Sequence, residues 1–228
     1  MPPSDTSDPP AARASTKHDL AALAALPAWS IATLLALPGQ TRGVQLHDWA
    51  AQIARRFGAS AVATLRSALG APLAAVGDAP ERSAWLPIGL PLAVHRTLVE
   101  QQFGGDWRAL QAPLRDDALA QIPTLARWSV RAAGLPRVFE RVPSLHGWLY
   151  DQGHADVEQH GDGASGSATL RVTGGGLFAC PHWALEQLYA LETLGEVCGV
   201  KLDAHVALGV ANDAQAVTTI ALRWRRSD

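Results

Sequence analysis

Residues 201–226, KLDAHVALGVANDAQAVTTIALRWRR, decide the fold class of this chain. Apolar side chains alternate with polar or small ones in residues 202–210, and again in residues 216–224. Strict alternation places successive side chains on opposite faces of a β-strand, so each run predicts a strand with one buried face. The Asn212-Asp213 pair between the runs is typical of a turn. We therefore expect an antiparallel hairpin here.

The segment before this hairpin is predicted to be a helix from Pro181 to Cys198. Proline suits the first helical position, and Gly199 suits the left-handed residue that follows a helix. Further upstream, alternating apolar residues flank a GDGASG turn at residues 161–166 and predict another hairpin. Residues 151–228 are therefore predicted to run β-β-α-β-β, which gives an α+β fold class.

Residues 18–150 are rich in Ala and Leu and show helical spacing, with one helix predicted from Leu90 to Gln102. A loop is predicted where glycine and proline cluster, at Gly70, Pro72, Gly77 and Pro80. Residues 1–17 are rich in Pro, Ser, Thr and Asp and are predicted to be a disordered tail. Residues 18–228 are expected to form one domain, in which the helical half, residues 18–150, packs on a small antiparallel sheet.

Composition excludes several classes of partner. The chain has 228 residues, of which 48% are hydrophobic and 18% are charged, with a net charge of −2. A protein without a basic excess is poorly suited to bind nucleic acid or an anionic membrane. The most apolar stretch, residues 20–37, is broken by Pro27 and is too short to span a membrane. Cys180 and Cys198 form no disulfide framework, and no signal peptide is evident, so we expect a cytoplasmic protein.

Four stretches of the sequence carry a family resemblance. They are FGASAVATLRSALGAPL (57–73), SAWLPIGLPLAVHRTLVEQQFGGDW (83–107), LPRVFERVPSLHGWLYDQGHADVEQHGDG (135–163) and ALRWRR (221–226). Together they resemble a large myxobacterial family of paralogous proteins. That family is distantly similar to the superfamily of haem nitric-oxide-binding domains, 4-vinyl-reductase-like domains and TRAPP vesicle-tethering subunits. The resemblance covers residues 42–224 and implies helices packed on an antiparallel sheet. Haem-binding members carry a haem-ligating His and a Tyr-x-Ser-x-Arg signature, which neither Tyr150 nor Tyr189 opens, so no haem is expected.

Residues that could bind a metal or take part in catalysis are scattered along the sequence. His154 and His160 share one face of a predicted strand, but they lie about 20 Å apart, too far to bind one metal ion. Cys180 and His182 would need two more ligands to hold zinc. The sequence contains no zinc motif, no phosphate-binding loop and no legible set of nucleophile, base and acid. We expect no catalytic activity, no metal and no cofactor.

Two candidate sites remain. Cys180 is a candidate reactive thiol, because the N-terminus of the following helix can stabilise a thiolate; the alternative is a small buried residue. The second site is the apolar segment 18–37, because a segment that is apolar on all sides must be buried, either in the core or against a partner. The candidate interface residues are Leu23, Leu26, Trp29, Ile31, Leu34 and Leu35.

Eight tryptophans are spread singly along the chain. Most are expected in the core, while one or two exposed ones would mark a partner surface. These observations favour a non-enzymatic regulatory or protein-interaction domain that binds a protein partner or a second copy of itself as a homodimer. The alternative is a sensor domain that holds an apolar small molecule between the helices and the sheet.

Overall fold

The computed structural model describes residues 17–121, 124–211 and 215–226. The helices are α1 (Leu20–Ala24), α2 (Ile31–Leu35), α3 (Trp49–Phe57), α4 (Ala59–Val76), α5 (Leu90–Gln102), α6 (Gln111–Gln121), α7 (Thr124–Phe139), α8 (Val142–Leu149) and α9 (Pro181–Cys198). The strands are β1 (Lys17–His18), β2 (Gln40–Arg42), β3 (Trp85–Pro87), β4 (His154–Gly161), β5 (Ser165–Gly174), β6 (Val200–Ala211) and β7 (Gln215–Arg226). Short 3₁₀ helices occupy Gly43–Leu46, Trp107–Leu110 and Gly176–Ala179.

The larger sheet has five strands in the order β1-β6-β7-β5-β4, and all of its strand pairs are antiparallel. The hairpin predicted for residues 201–226 is confirmed, because β6 and β7 pair along their whole length. The inner face of the sheet carries core side chains such as Val206 and Ile220, which are both 0% exposed. The predicted Asn212-Asp213 turn lies outside the described residues.

Helix α9 packs on the inner face of the sheet and links it to the helical half. It contacts β6 most extensively, and α1, α6 and α7 also pack against it. Its predicted bounds are confirmed, with Pro181 in the first turn and Gly199 in the left-handed region at a φ of 73°. Glycine reaches that φ without a steric penalty, so the chain can turn directly from α9 into β6. The fold is α+β, as predicted.

The loop predicted to begin at Gly70 begins only after Val76, so that part of the prediction is wrong. Gly70 leaves the helical conformation at a φ of 53° and a ψ of −132°, and the chain then resumes the helix. Pro72 lies in the first turn after this kink, where proline does not remove a helical hydrogen bond. Leu69 and Leu73, on either side of the kink, are both buried in the core, and their burial favours the continued helix.

Helix α4 is also the one helix among the described residues whose length and hydropathy would suffice to cross a membrane. Its buried side chains instead form a stripe with the three- and four-residue spacing of a core helix. They are Ala61, Val62, Leu65, Leu69 and Leu73. The kink at Gly70 divides the helix, and the stripe packs α4 against α3 and α5.

Three short strands, β1, β2 and β3, could not be predicted from alternating apolar residues, because two or three residues are too few to show the pattern. Strands β2 and β3 form a separate two-stranded sheet, and Thr41 of β2 forms an isolated bridge with Tyr150. Strand β1 pairs Lys17 with Ala207 at one edge of the larger sheet, so Lys17, which was assigned to the predicted tail, is part of a strand. Residues 1–16 of that predicted tail lie outside the described residues.

Candidate functional site

A cleft of about 120 Å³ opens where the helical half meets α9, and we call it the junction cleft. Helix α9 contributes three side chains at positions i, i+3 and i+4, a spacing that places them on one face of the helix. The polar and aromatic lining residues are Gln45, Tyr150, Trp183, Glu186 and Gln187. The apolar lining residues are Ile88, Pro91, Leu92, Leu149 and Leu177. The junction cleft therefore combines an apolar wall with a small set of polar groups.

The Tyr150 hydroxyl is one of the polar groups that a hydrogen bond within the chain holds in place. Trp183 donates a hydrogen bond from Nε1 to the Tyr150 oxygen at 3.2 Å. Burial raises the pKa of Tyr150, although the hydrogen bond from Trp183 opposes that rise, so the phenol is protonated at neutral pH. With its oxygen accepting from Trp183, the hydroxyl keeps its own proton to donate.

Glu186 pairs with His95 of α5 across the helix interface. The His95 Nδ1 lies 2.9 Å from Glu186 Oε1, and the two side chains are only 19% and 14% exposed. Burial alone would lower the pKa of His95, but the charge and hydrogen bond of Glu186, with a further contribution from Asp117, outweigh it and raise the pKa. The pair therefore favours an imidazolium against a carboxylate in a largely dry setting.

A second, smaller cleft of about 60 Å³ is lined by residues of the helical half, and we call it the helical cleft. His95 lines the helical cleft, Glu186 lines the junction cleft, and Gln45 lines both. The His95–Glu186 pair thus forms part of the wall between the two clefts. Arg56 and Asp117 also line the helical cleft and approach each other to 3.4 Å.

An aromatic cluster holds the rings of the junction cleft in place. Phe178 is 0% exposed and packs edge-on against Trp183 and Tyr150, with ring centroids 5.0 and 5.5 Å away. Gly153 allows this packing, because a Cβ at its position would lie only 2.6 Å from the Phe178 ring, and its φ is 83°. Edge-to-face contacts of this kind fix ring orientation. These contacts hold the rings of Tyr150 and Trp183 against Phe178.

The candidate interface residues of segment 18–37 fall into two groups. Leu23 and Leu34 are 0% and 1% exposed and belong to the core of this chain. The other four are half-buried and pack against that core: Leu26, Trp29, Ile31 and Leu35. A partner could reach only the second group, so the interface stays a prediction for those four residues.

The Cys180 thiol is buried, being 1% exposed. Burial raises its pKa to about 11, and the backbone hydrogen bonds at Trp183 and His182 do not offset that rise. A protonated, enclosed thiol agrees with the alternative reading of Cys180 as a small core residue and does not support a reactive thiol. Within the described part of the chain, no three His, Cys, Asp or Glu side chains are grouped to hold a metal ion.

Sequence reasoning singled out neither His95 nor Glu186 as a site residue, and it considered Tyr150 only for a haem signature. One sequence signal could have pointed to His95. This ionisable residue directly follows the apolar run PLAV and comes shortly before Thr97 and Leu98, which are buried. Its partner Glu186 lies 91 residues further along the chain, and no spacing rule connects the two.

No protein-family model matches the chain, and no curated protein matches it. Among solved structures, it is similar to the Fe(II) unliganded H-NOX protein from K. algicida, with a TM-score of 0.42 and 12% sequence identity, over 80% of this chain and 96% of the other. A mutant of that protein matches over the same shares at the same identity, with a TM-score of 0.44. The resemblance to haem nitric-oxide-binding domains and the relation to the myxobacterial family both stay predictions. At this identity no residue role passes from these proteins to this chain.

Proposed function

We propose that this chain is a non-enzymatic sensor domain that binds a small organic molecule in the junction cleft. The carrying observation is that Tyr150, Glu186 and Gln187 converge on a cleft whose other walls are apolar. Ligand sites are typically concave and apolar with a few placed polar groups. Among the described residues, neither the Gln187 amide nor Glu186 Oε2 makes a hydrogen bond, so both are free to bind a ligand.

The dimensions of the cleft limit the ligand. At about 120 Å³ it is somewhat smaller than the ~150 Å³ engineered cavity that takes up benzene. The enclosed part of the ligand therefore has about four to six non-hydrogen atoms, with one polar end directed at α9. A buried ion pair adds little net stability to the fold, and we propose that the His95–Glu186 pair serves ligand binding.

Two matched substitutions on α5 test this assignment. Leu92 lines the junction cleft and Leu98 lines the helical cleft, and they are 3% and 4% exposed. We expect Leu92→Phe to fill the junction cleft and to abolish binding of n-butanol and n-butylammonium in ligand-observed NMR. Leu98→Phe adds the same bulk to the same helix and should leave that binding intact.

Near-ultraviolet circular dichroism establishes that both variants are folded. If Leu92→Phe fails to fold, Gln187→Phe blocks the same cleft from its half-buried rim. The proposal fails if neither molecule binds the wild-type chain, or if the two α5 variants affect binding equally. Native mass spectrometry of the purified chain would in addition report a co-purified molecule and the oligomeric state.

A second candidate function, protein interaction, is favoured by an exposed aromatic surface. Trp85 and Trp148 are 38% and 44% exposed, and Leu145 on α8 is 50% exposed. Arg42 connects the two tryptophans, since its guanidinium stacks 3.7 Å above the Trp85 ring and its Nε donates to the Trp148 carbonyl at 3.1 Å. Tryptophan and arginine are the residues most often found at binding hot spots.

Self-association through this surface or through segment 18–37 is measured by sedimentation velocity over a range of concentrations. Trp148→Ser should weaken a dimer formed by the aromatic surface, and Trp29→Ser one formed by the segment. A monomer at all concentrations would refute the homodimer. We also expect a cytoplasmic location, because both cysteines are free.

A further inference from the structure

We propose that the junction cleft selects a small alkylammonium ion, which binds the second carboxylate oxygen of Glu186 and replaces protonated His95 as the counter-charge of that carboxylate. This inference rests on the proposed function and names the chemical class of its ligand. The starting point is charge, because Glu186 is the one ionisable carboxyl among the described residues lining the cleft, and no Lys or Arg lines it. An anionic ligand would be repelled there, whereas a cation would be attracted.

The second argument is the hydrogen-bonding capacity left on Glu186. His95 occupies Oε1, and the other oxygen, Oε2, has no hydrogen-bond partner among the described residues. An ammonium group carries three donors and can bond to Oε2 without first breaking the existing pair. Gln187 lines the same cleft, and its amide oxygen can accept a further donor from the same group.

The third argument is the nature of the walls. Tyr150 and Trp183 line the cleft, and their π electrons attract a nearby cation, most strongly when water is excluded. Leu92 and Leu177 supply an apolar surface for the alkyl chain. A carboxylate, two aromatic rings and an aliphatic wall together form a site for an amine with a short apolar tail.

Binding at Glu186 has a consequence on the other side of the pair. His95 is faced by Glu186 from α9 and Asp117 from α6, and Arg56 of α3 and His47 also line the helical cleft. When the ammonium neutralises Glu186, His95 loses the main attraction that holds its proton, and the proton passes to solvent. One positive charge enters and one leaves, so the net charge of the site is unchanged. Binding of the ligand in the junction cleft thereby changes the charge of His95, which lines the helical cleft.

Three probes of nearly equal size separate the ligand classes: n-butylammonium, n-butanol and butyrate. Isothermal titration calorimetry should give an affinity for n-butylammonium at least about tenfold higher than for n-butanol, and no binding of butyrate. Titrations in buffers of different ionisation enthalpy should detect a proton released on binding of n-butylammonium. Its affinity should rise from mildly acidic to mildly alkaline pH, because protonated His95 competes with it for Glu186.

Two variants and a control complete the experiment. Glu186→Gln should reduce n-butylammonium affinity to that of n-butanol and remove the proton release. His95→Gln should tighten n-butylammonium binding and make it independent of pH, an effect that a purely structural role would not produce. Glu196→Gln, on the same helix but at the surface beside Arg115, should change neither value.

Failure of this inference is distinguishable from failure of the proposed function. If n-butylammonium and n-butanol bind equally and Leu92→Phe abolishes both, the cleft is a ligand site but the amine class is overturned. Tighter binding of butyrate, or an unchanged preference in a folded Glu186→Gln variant, also overturns it. If none of the three probes binds, both the inference and the proposed function are wrong.

Discussion

Replacing His182 with phenylalanine is expected to make the protein more resistant to acid. His182 lies in the first turn of α9, is 1% exposed, and stacks on Trp107 with ring centroids 4.0 Å apart. Neither of its ring nitrogens has a hydrogen-bond partner among the described residues. Burial, with a smaller contribution from the charge of Arg96, lowers the pKa of His182 from 6.5 to about 4.

The size of the effect follows from that pKa shift. The unfolded chain takes up a proton at His182 as the pH falls below 6.5, whereas the folded chain does so only near pH 4. Stability is therefore highest above the unfolded pKa and declines as the pH falls towards the folded one. From neutral pH to about pH 5, this one residue lowers the free energy of unfolding by about 2 kcal/mol.

Urea unfolding followed by tryptophan fluorescence, at neutral pH and at about pH 5, measures this difference. Between neutral pH and about pH 5, the free energy of unfolding of His182→Phe should fall by about 2 kcal/mol less than that of the wild-type chain. Because each variant is compared with itself at the two pH values, any pH-independent effect of the larger ring on packing cancels. His205→Phe, at an exposed position, is the control and should keep the full decline. An identical decline in wild type and His182→Phe, or an NMR titration of His182 near its ordinary pKa, would refute the reasoning.

Three further outcomes are expected. The Cys180 thiol, with its pKa raised to about 11 by burial, should react slowly with a thiol reagent until denaturant is added; rapid reaction in the folded state would contradict its enclosure. Phe178→Ala should lower the free energy of unfolding by about 3–5 kcal/mol in urea titrations, because the ring is fully buried among Tyr150 and Trp183; a loss below about 1 kcal/mol would show that the cluster is loosely packed. The purified chain should show no Soret band, no flavin absorbance and no stoichiometric zinc, and any of these signals would overturn the expectation that it binds no cofactor or metal.

The elements best predicted from the sequence are those whose signals are local. Helix α9 has proline at its first position, an apolar face, and a glycine just after its end, and its bounds agree with the prediction. Strands β6 and β7 alternate over long runs, so their faces were predictable as well. In α4, the glycine and proline at positions 70 and 72 suggested a loop, but burial of Leu69 and Leu73 outweighs these local preferences.

The candidate site was largely beyond reach of the sequence, for a physical reason. His95 and Glu186 belong to helices whose contact depends on how the helical half packs against α9, and neither residue carries a motif. Tyr150 and Trp183 are likewise 33 residues apart and meet only in the folded chain. The alternative reading placed a small molecule between helices and sheet, whereas none of the residues lining the junction cleft belongs to the larger sheet, so that placement stays a prediction.

Strand β1 has a consequence for how copies of this chain behave at high concentration. Among the described residues it covers only two positions along β6, which is 12 residues long and forms that edge of the sheet, and Val210 near the end of β6 is 76% exposed. An uncovered strand edge offers backbone groups on which another molecule can add a strand. A chain shortened to begin after His18 would lose even this cover, and intermolecular strand addition, with fibrous aggregates as its end point, becomes the main hazard. By pairing with β6, Lys17 and His18 thus block part of the sheet edge from strand addition by another molecule.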